Sequence, residues 1–141
     1  MFFRPLLLPL LAQVALTFIV LARMYWLRLG EIQRKKIEPQ SLASRRDASQ
    51  RLTDSAAASD HFVNLFETPV LFYAAIFTAL ILMIPDRSLA ILAWMYVGLR
   101  VIHAFIHTGA NTVMSRFYVF LASCAVLLGM WLRLGWYIVT A

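Results

Sequence analysis

Charged residues are scarce in this chain: Lys, Arg, Asp and Glu make up 14% of its 141 residues, and 62% of the residues are hydrophobic. A soluble domain has about 25% charged residues, so this composition excludes an ordinary soluble fold. The only cysteine, Cys124, excludes an intramolecular disulfide. Glycine and proline supply five residues each, and neither is concentrated in a linker that would divide the chain. We therefore expect a single membrane domain over residues 1–141.

Long apolar runs account for most of the sequence. Four of them, at about residues 5–27, 62–84, 88–110 and 117–139, are long enough at 1.5 Å per residue to cross a hydrocarbon core of about 30 Å. No cleavage pattern of small residues follows the first run, so we interpret it as a membrane helix and not as a signal peptide. The predicted fold class is all-α, a bundle of four transmembrane helices.

Positive charge is concentrated between the first two apolar runs. Residues 28–51 contain seven Lys or Arg against three acidic residues, and short loops with such an excess remain in the cytoplasm. The basic loop, at about residues 28–55, is therefore predicted to be cytoplasmic, with both chain ends outside. Because topology explains this charge, the high isoelectric point does not indicate nucleic-acid binding.

Polar side chains interrupt the second and third runs at helical spacing. Asn64 and Glu67 lie three residues apart, and Arg100, His103 and His107 follow at i, i+3 and i+7. A charged residue at the centre of a membrane helix costs about 2.5–3.5 kcal/mol on insertion scales, and it normally faces protein or a wet cavity. The two stripes predict such a cavity at the cytoplasmic ends of both helices. A purely structural pair between Glu67 and Arg100 is the alternative.

Pro69 lies in the second run, just after its polar stripe. A proline inside a helix removes one backbone hydrogen bond and leaves a carbonyl of the preceding turn without its partner. We therefore expect a bend in the second helix, which either shapes the cavity or fits the helix to the bundle.

Two segments, NLFETP at 64–69 and RVIHAFIHTGANTVMSR at 100–116, together resemble motifs of the MAPEG family, the membrane-associated proteins of eicosanoid and glutathione metabolism. The family pattern has an Asn and a Glu entering the second helix, which Asn64 and Glu67 match. Arg100, His103 and Arg116 match its residues at the end of the third helix and the start of the fourth. The resemblance extends over nearly the whole chain and implies a homotrimer of four-helix subunits.

The resemblance also implies a function, a glutathione-dependent transferase or peroxidase that acts on lipophilic electrophiles. Glutathione would be the co-substrate, bound near the cytoplasmic face between neighbouring subunits. Arg116 is the candidate catalytic residue, because an adjacent cation lowers the pKa of a thiol and so supplies the thiolate nucleophile. The expected partners are membrane lipid, a lipophilic substrate and further copies of the chain, in a bacterial inner membrane. The candidate glutathione-binding residues are Asn64, Glu67, Arg100, His103, His107, Arg28 and Arg34.

Four positions depart from the family pattern. Asp60 and Val63 stand where members of the family have Arg, His107 stands in place of a Tyr, and Phe117 stands in place of a Ser. Fewer cations therefore face an anionic ligand, and Asp60 would repel its carboxylates.

Two other functions fit the same residues. One is a non-catalytic membrane scaffold that binds lipid or a partner helix. The other is a metal or haem site in which His61 or Glu67 joins His103 and His107. The neighbouring Arg100 disfavours a bound cation, so no metal site is predicted.

Overall fold

The computed structural model describes residues 4–84, 86–109 and 112–140, and no strand occurs among them. Four helical segments are long and apolar enough to cross a membrane, and they span Pro5–Lys35, Ala56–Ile81, Arg87–Thr108 and Val113–Thr140. The predicted all-α fold with four membrane helices is therefore confirmed. Position 110, the predicted end of the third run, lies outside the described residues.

The helices are numbered α1 to α6 along the chain, with a short 3-10 turn at Pro39–Leu42. They span Arg4–Lys35 (α1), Arg45–Arg51 (α2), Ala56–Asn64 (α3), Thr68–Ile81 (α4), Arg87–Thr108 (α5) and Val113–Thr140 (α6). The predicted basic loop therefore begins as helix, because α1 continues to Lys35. We call the end of the bundle that carries residues 36–55 the loop end. The end of α5 and the start of α6 lie at the same end.

The second membrane segment is broken into two helices just before Pro69, where the sequence predicted only a bend. The helix α3 ends at Asn64, residues 65–67 form turns, and α4 begins at Thr68 with Pro69 in its first turn. A proline is tolerated there because first-turn N–H groups have no partner within their helix. It also prevents residue 69 from donating to the carbonyl of Leu65, so α3 and α4 do not join into one helix.

The core of the bundle lies around α5, which packs against α6, α1 and α3. Tyr96 of α5 stacks on Phe72 of α4 with ring centroids 4.7 Å apart, and both rings are fully buried. Large apolar side chains such as Trp26 and Val139 are exposed on the outside, as expected where the surrounding solvent is lipid.

A buried carboxylate attaches the loop to α1. Glu31 is 2% exposed and accepts hydrogen bonds from the backbone N–H groups of Asp54 (3.0 Å) and Ser55 (2.9 Å) and from the Ser55 hydroxyl (2.7 Å). Lys35 Nζ lies 2.5 Å from the same carboxylate, and Arg34 pairs with Asp54. Because the Ser55 hydroxyl donates to Glu31, it does not cap α3, which begins at the next residue.

Asp86 has a similar role at the opposite end. Its carboxylate caps α5 by accepting from the Ser88 N–H (2.7 Å), and it also accepts from Arg133 Nε of α6 (2.6 Å). Burial alone would raise the pKa of the Asp86 carboxyl, but the hydrogen bonds from Arg133 and Ser88 outweigh it and hold the pKa below its ordinary value.

Candidate functional site

Four of the candidate residues line one recess at the loop end. The recess has a volume of about 290 Å³ and lies between the α3–α4 break, the end of α5 and the start of α6. Its apolar wall comes from Val113, Phe117 and Phe120. The predicted meeting of the two polar stripes therefore occurs, and the candidate residues in the recess are Asn64, Glu67, His103 and Arg116.

Arg100 lies fully buried, with a backbone carbonyl as its partner. Its Nη2 donates to the carbonyl oxygen of Asn64 at 3.0 Å, and its guanidinium carbon lies 5.8 Å from the centroid of the Phe120 ring. Among the described residues, no salt bridge joins Arg100 to Glu67. The alternative of a direct salt bridge with Glu67 is therefore not found there: Arg100 binds a carbonyl at the end of α3, and Glu67 is exposed.

Three buried imidazoles lie close to one another. The rings of His61 and His107 are nearly parallel, with centroids 4.8 Å apart, and the His103 ring lies 5.9 Å from each. His107 Nε2 lies 3.1 Å from Arg116 Nη1. A guanidinium can only donate, so this nitrogen of His107 is the acceptor and carries no proton. The hydrogen bond orients Arg116 at the wall of the recess.

The geometry of the imidazoles gives no support to a metal or haem site. A metal ion lies in the plane of each imidazole that binds it, and the two nearly parallel rings of His61 and His107 share no such plane. Within the described ranges, no three His, Cys, Asp or Glu side chains are grouped so as to hold a metal ion.

Arg28 and Arg34 lie apart from this recess within the subunit. Arg28 lines a second cavity, together with Arg46 and Asp60. Arg34 pairs with Asp54 at the base of the loop. The contribution of either arginine to glutathione binding stays a prediction that requires a neighbouring subunit.

Two residues near the recess were not assigned to it from the sequence. His61 had been considered only as a metal ligand, yet its ring stacks on His107. Phe120 had no assigned role, yet it lines the recess and lies against Arg100. Its position four residues after Arg116 was the available signal, because residues at i and i+4 share one face of a helix.

A comparison with known families decides the identity of the fold. The model of the MAPEG family matches residues 6–136 of the chain. The chain belongs to the MAPEG family. Neither a curated protein nor a solved structure gives a significant match. The match includes both motifs that carried the resemblance, and so confirms it.

The four departures of this MAPEG chain lie in two places. Asp60 and Val63 line the second cavity. Phe117 lines the recess itself, and His107 orients Arg116. The departures near Arg116 therefore alter the wall and the support of the recess, and the other two change the charge of the second cavity.

Proposed function

We propose that this MAPEG protein is a glutathione-dependent transferase or peroxidase that acts on lipophilic electrophiles. The observation that carries the proposal is the recess in which Arg116 lies with Asn64, Glu67 and His103. Such a site offers a carboxylate, an amide, an imidazole and a cation to one ligand. Glutathione, the thiol substrate generally associated with the family, requires this set of groups.

The binding groups follow from the charges of glutathione. Glu67 is exposed, and its side chain neither caps α4 nor forms a salt bridge with the described residues. It is therefore available to accept from the ammonium group. Asn64 and His103 supply neutral hydrogen bonds, and a basic residue of a neighbouring α1, Arg28 or Arg34, binds a carboxylate.

The catalytic group is Arg116. Its positive charge stabilises the ionised thiol of glutathione more than the neutral thiol, and so lowers the pKa of the thiol. The thiolate then attacks the electrophile. Phe117 and Val113, which line the recess and are largely exposed, offer an apolar approach to a substrate that has partitioned into the bilayer.

The position of Glu67 also supports a homotrimer. A carboxylate on the outer surface of a membrane subunit is costly when it faces lipid. A neighbouring subunit removes this cost when it covers the α3–α4 break and completes the site with a cation from α1. The basic loop then lies in the cytoplasm, in agreement with its charge.

The test uses glutathione and an analogue that lacks the amino group of the γ-glutamyl residue. We expect wild-type protein to bind glutathione at least about tenfold more tightly than the analogue, because a hydrogen bond to a charged group contributes about 1.5–3 kcal/mol. Glu67→Gln should bind both ligands with equal affinity, by isothermal titration. Glu38→Gln, a change at an exposed loop residue, is the control and should retain the difference.

A non-catalytic scaffold is the alternative function, and Phe117 favours it because an apolar ring stands where the family pattern has a Ser. The enzyme proposal would be rejected in favour of the scaffold if wild-type protein neither binds glutathione nor turns over a reactive electrophile such as chlorodinitrobenzene.

A further inference from the structure

A second and larger cavity lies at the loop end between α1, α2 and α3. Its volume is about 710 Å³, more than twice that of the recess near Arg116. Three charged side chains line it, Arg28 from α1, Arg46 from α2 and Asp60 from α3. The other walls are mostly apolar, with Ser49 and Ser59 between the charges. The cavity therefore combines two cations, one carboxylate and an apolar surface.

The charged side chains of this cavity are not held in direct ion pairs. Among the described residues, none of Arg28, Arg46 and Asp60 takes part in a salt bridge. Other charges at the same end are paired, as Arg34 is with Asp54 and Lys35 with Glu31. The cavity thus holds charges of both signs that face a common space without a direct ion pair between them.

The cavity also lies where the apolar surface of the bundle meets its charged loop. Trp26 is 81% exposed and Tyr25 is 53% exposed, and such aromatic side chains are enriched at the level of lipid headgroups. Phe62 and Val63 continue the wall of the cavity along α3 towards the membrane segment. A ligand of this cavity therefore has charged groups at the interface and an apolar portion beside α3.

We propose that this cavity binds a phospholipid with a primary ammonium headgroup, such as phosphatidylethanolamine. Arg28 and Arg46 bind the phosphate, and Asp60 accepts hydrogen bonds from the ammonium group. The acyl chains lie against Phe62 and Val63 and continue into the bilayer. In this proposal Arg28 binds the lipid phosphate, and Arg34 is the residue of α1 that binds a glutathione carboxylate.

Asp60 determines which headgroup is preferred. A quaternary choline group has no N–H to donate to a carboxylate, and a glycerol headgroup has no positive charge. A primary ammonium group both donates and carries a positive charge, so it alone matches Asp60 fully. The position at which family members have a cation thus becomes a selectivity residue for zwitterionic lipid.

The experiment compares phosphatidylethanolamine, phosphatidylcholine and phosphatidylglycerol of equal chain length, added to delipidated full-length protein and detected by native mass spectrometry. We expect wild-type protein to retain phosphatidylethanolamine about tenfold better than the other two lipids. The reason is that neither of the other headgroups can make the charged hydrogen bond to Asp60. Asp60→Asn should abolish this preference. Arg46→Gln should weaken the retention of all three lipids to a similar extent, because all three contain the phosphate.

Matched controls separate this site from general attraction to lipid. Arg51→Gln removes a positive charge from α2 that does not line the cavity, and it should leave retention and preference unchanged. Asp60 and Arg46 are exposed, so their variants should show wild-type thermal unfolding. Glycerophosphoethanolamine is the headgroup without acyl chains. It should displace phosphatidylethanolamine from the cavity only at a much higher concentration than that of the intact lipid.

Three results would overturn the proposal. Equal retention of the three lipids by wild-type protein would show that the headgroup is not recognised, as would a preference that survives in Asp60→Asn. Displacement of the lipid by glutathione, with Asp60→Asn weakening glutathione binding equally, would assign the cavity to the glutathione site. A failure of the glutathione proposal alone would leave the lipid preference intact, because the lipid measurement contains no thiol.

Discussion

At the residue scale, Arg100 illustrates how a cation is accommodated inside the bundle without a direct salt bridge to a carboxylate among the described residues. Its charge is met by the Asn64 carbonyl and the face of the Phe120 ring. The sequence offered two roles for it, glutathione binding and, as the alternative, a structural pair with Glu67, whose charge is opposite and whose depth is comparable. The spacing of residues shows which side chains share a helix face. It does not show how far a break turns the next helix, and that turn exposes Glu67 while presenting the carbonyl of Asn64.

Arg100→Ala should therefore lower stability more than it lowers glutathione affinity. The variant leaves the Asn64 carbonyl without its donor and creates a cavity beneath the recess, and such losses cost about 1–3 and about 2–5 kcal/mol respectively. Thermal unfolding in detergent should show a clear fall in the midpoint. Arg87→Ala, at the exposed first residue of α5, is the matched control. Equal midpoints for the two variants would contradict the buried role of Arg100.

Four of the eight candidate site residues were placed in one recess by reasoning from the sequence. Asn64, Glu67, His103 and Arg116 line one recess, because polar residues at helical spacing lie on one face of each helix and these two faces meet. His61 was harder to place, since a single histidine near a helix end has several stable environments. Its stacking on His107 depends on the packing of α3 against α5.

At the element scale, the ends of the helices depend on contacts that the sequence does not display. The apolar runs predicted the four membrane helices because hydrophobicity is a local property. The extension of α1 to Lys35 brings Glu31 to the start of α3, where it binds the N–H groups of Asp54 and Ser55. No local pattern predicts such a bond, since its partners lie more than twenty residues apart in the chain.

Glu31→Ala should loosen the loop without unfolding the membrane helices. Three buried or partly buried donors lose their acceptor, and each such loss costs about 1–3 kcal/mol. We expect limited proteolysis to cleave the loop of residues 36–55 at least about tenfold faster than in the wild type. Glu38→Ala removes an exposed carboxylate of the same loop and should have little effect. Equal cleavage rates in both variants would argue against the role of Glu31.

At the scale of the whole molecule, the proposed glutathione site needs a residue from a second subunit. The recess opens beside exposed Glu67, and both arginines of α1 lie elsewhere. Membership of the MAPEG family and the four membrane helices follow from composition and motifs. The assembly does not, because an isolated chain shows neither which outer face is covered nor which cation is supplied across an interface.

Purified protein in a mild detergent should therefore be a homotrimer. Light scattering corrected for bound detergent measures the protein mass directly, and we expect three times the 16.1 kDa mass of one chain. Crosslinking should likewise stop at the trimer. A stable monomer that still binds glutathione would contradict a site that requires a second subunit.

The pKa of bound glutathione measures the proposed chemistry most directly. Ultraviolet absorbance of the thiolate should be titrated against pH in wild-type protein, in Arg116→Ala and in the control Arg87→Ala. We expect the thiol pKa to lie below its ordinary value of about 8.5 in the wild type and in the control. In Arg116→Ala the pKa should rise by about one unit or more, and the pH at which turnover reaches half its maximum should rise with it, while glutathione affinity changes little. An unchanged thiol pKa in Arg116→Ala, in protein that binds glutathione and is active, would contradict the assignment of Arg116 as the group that activates the thiol.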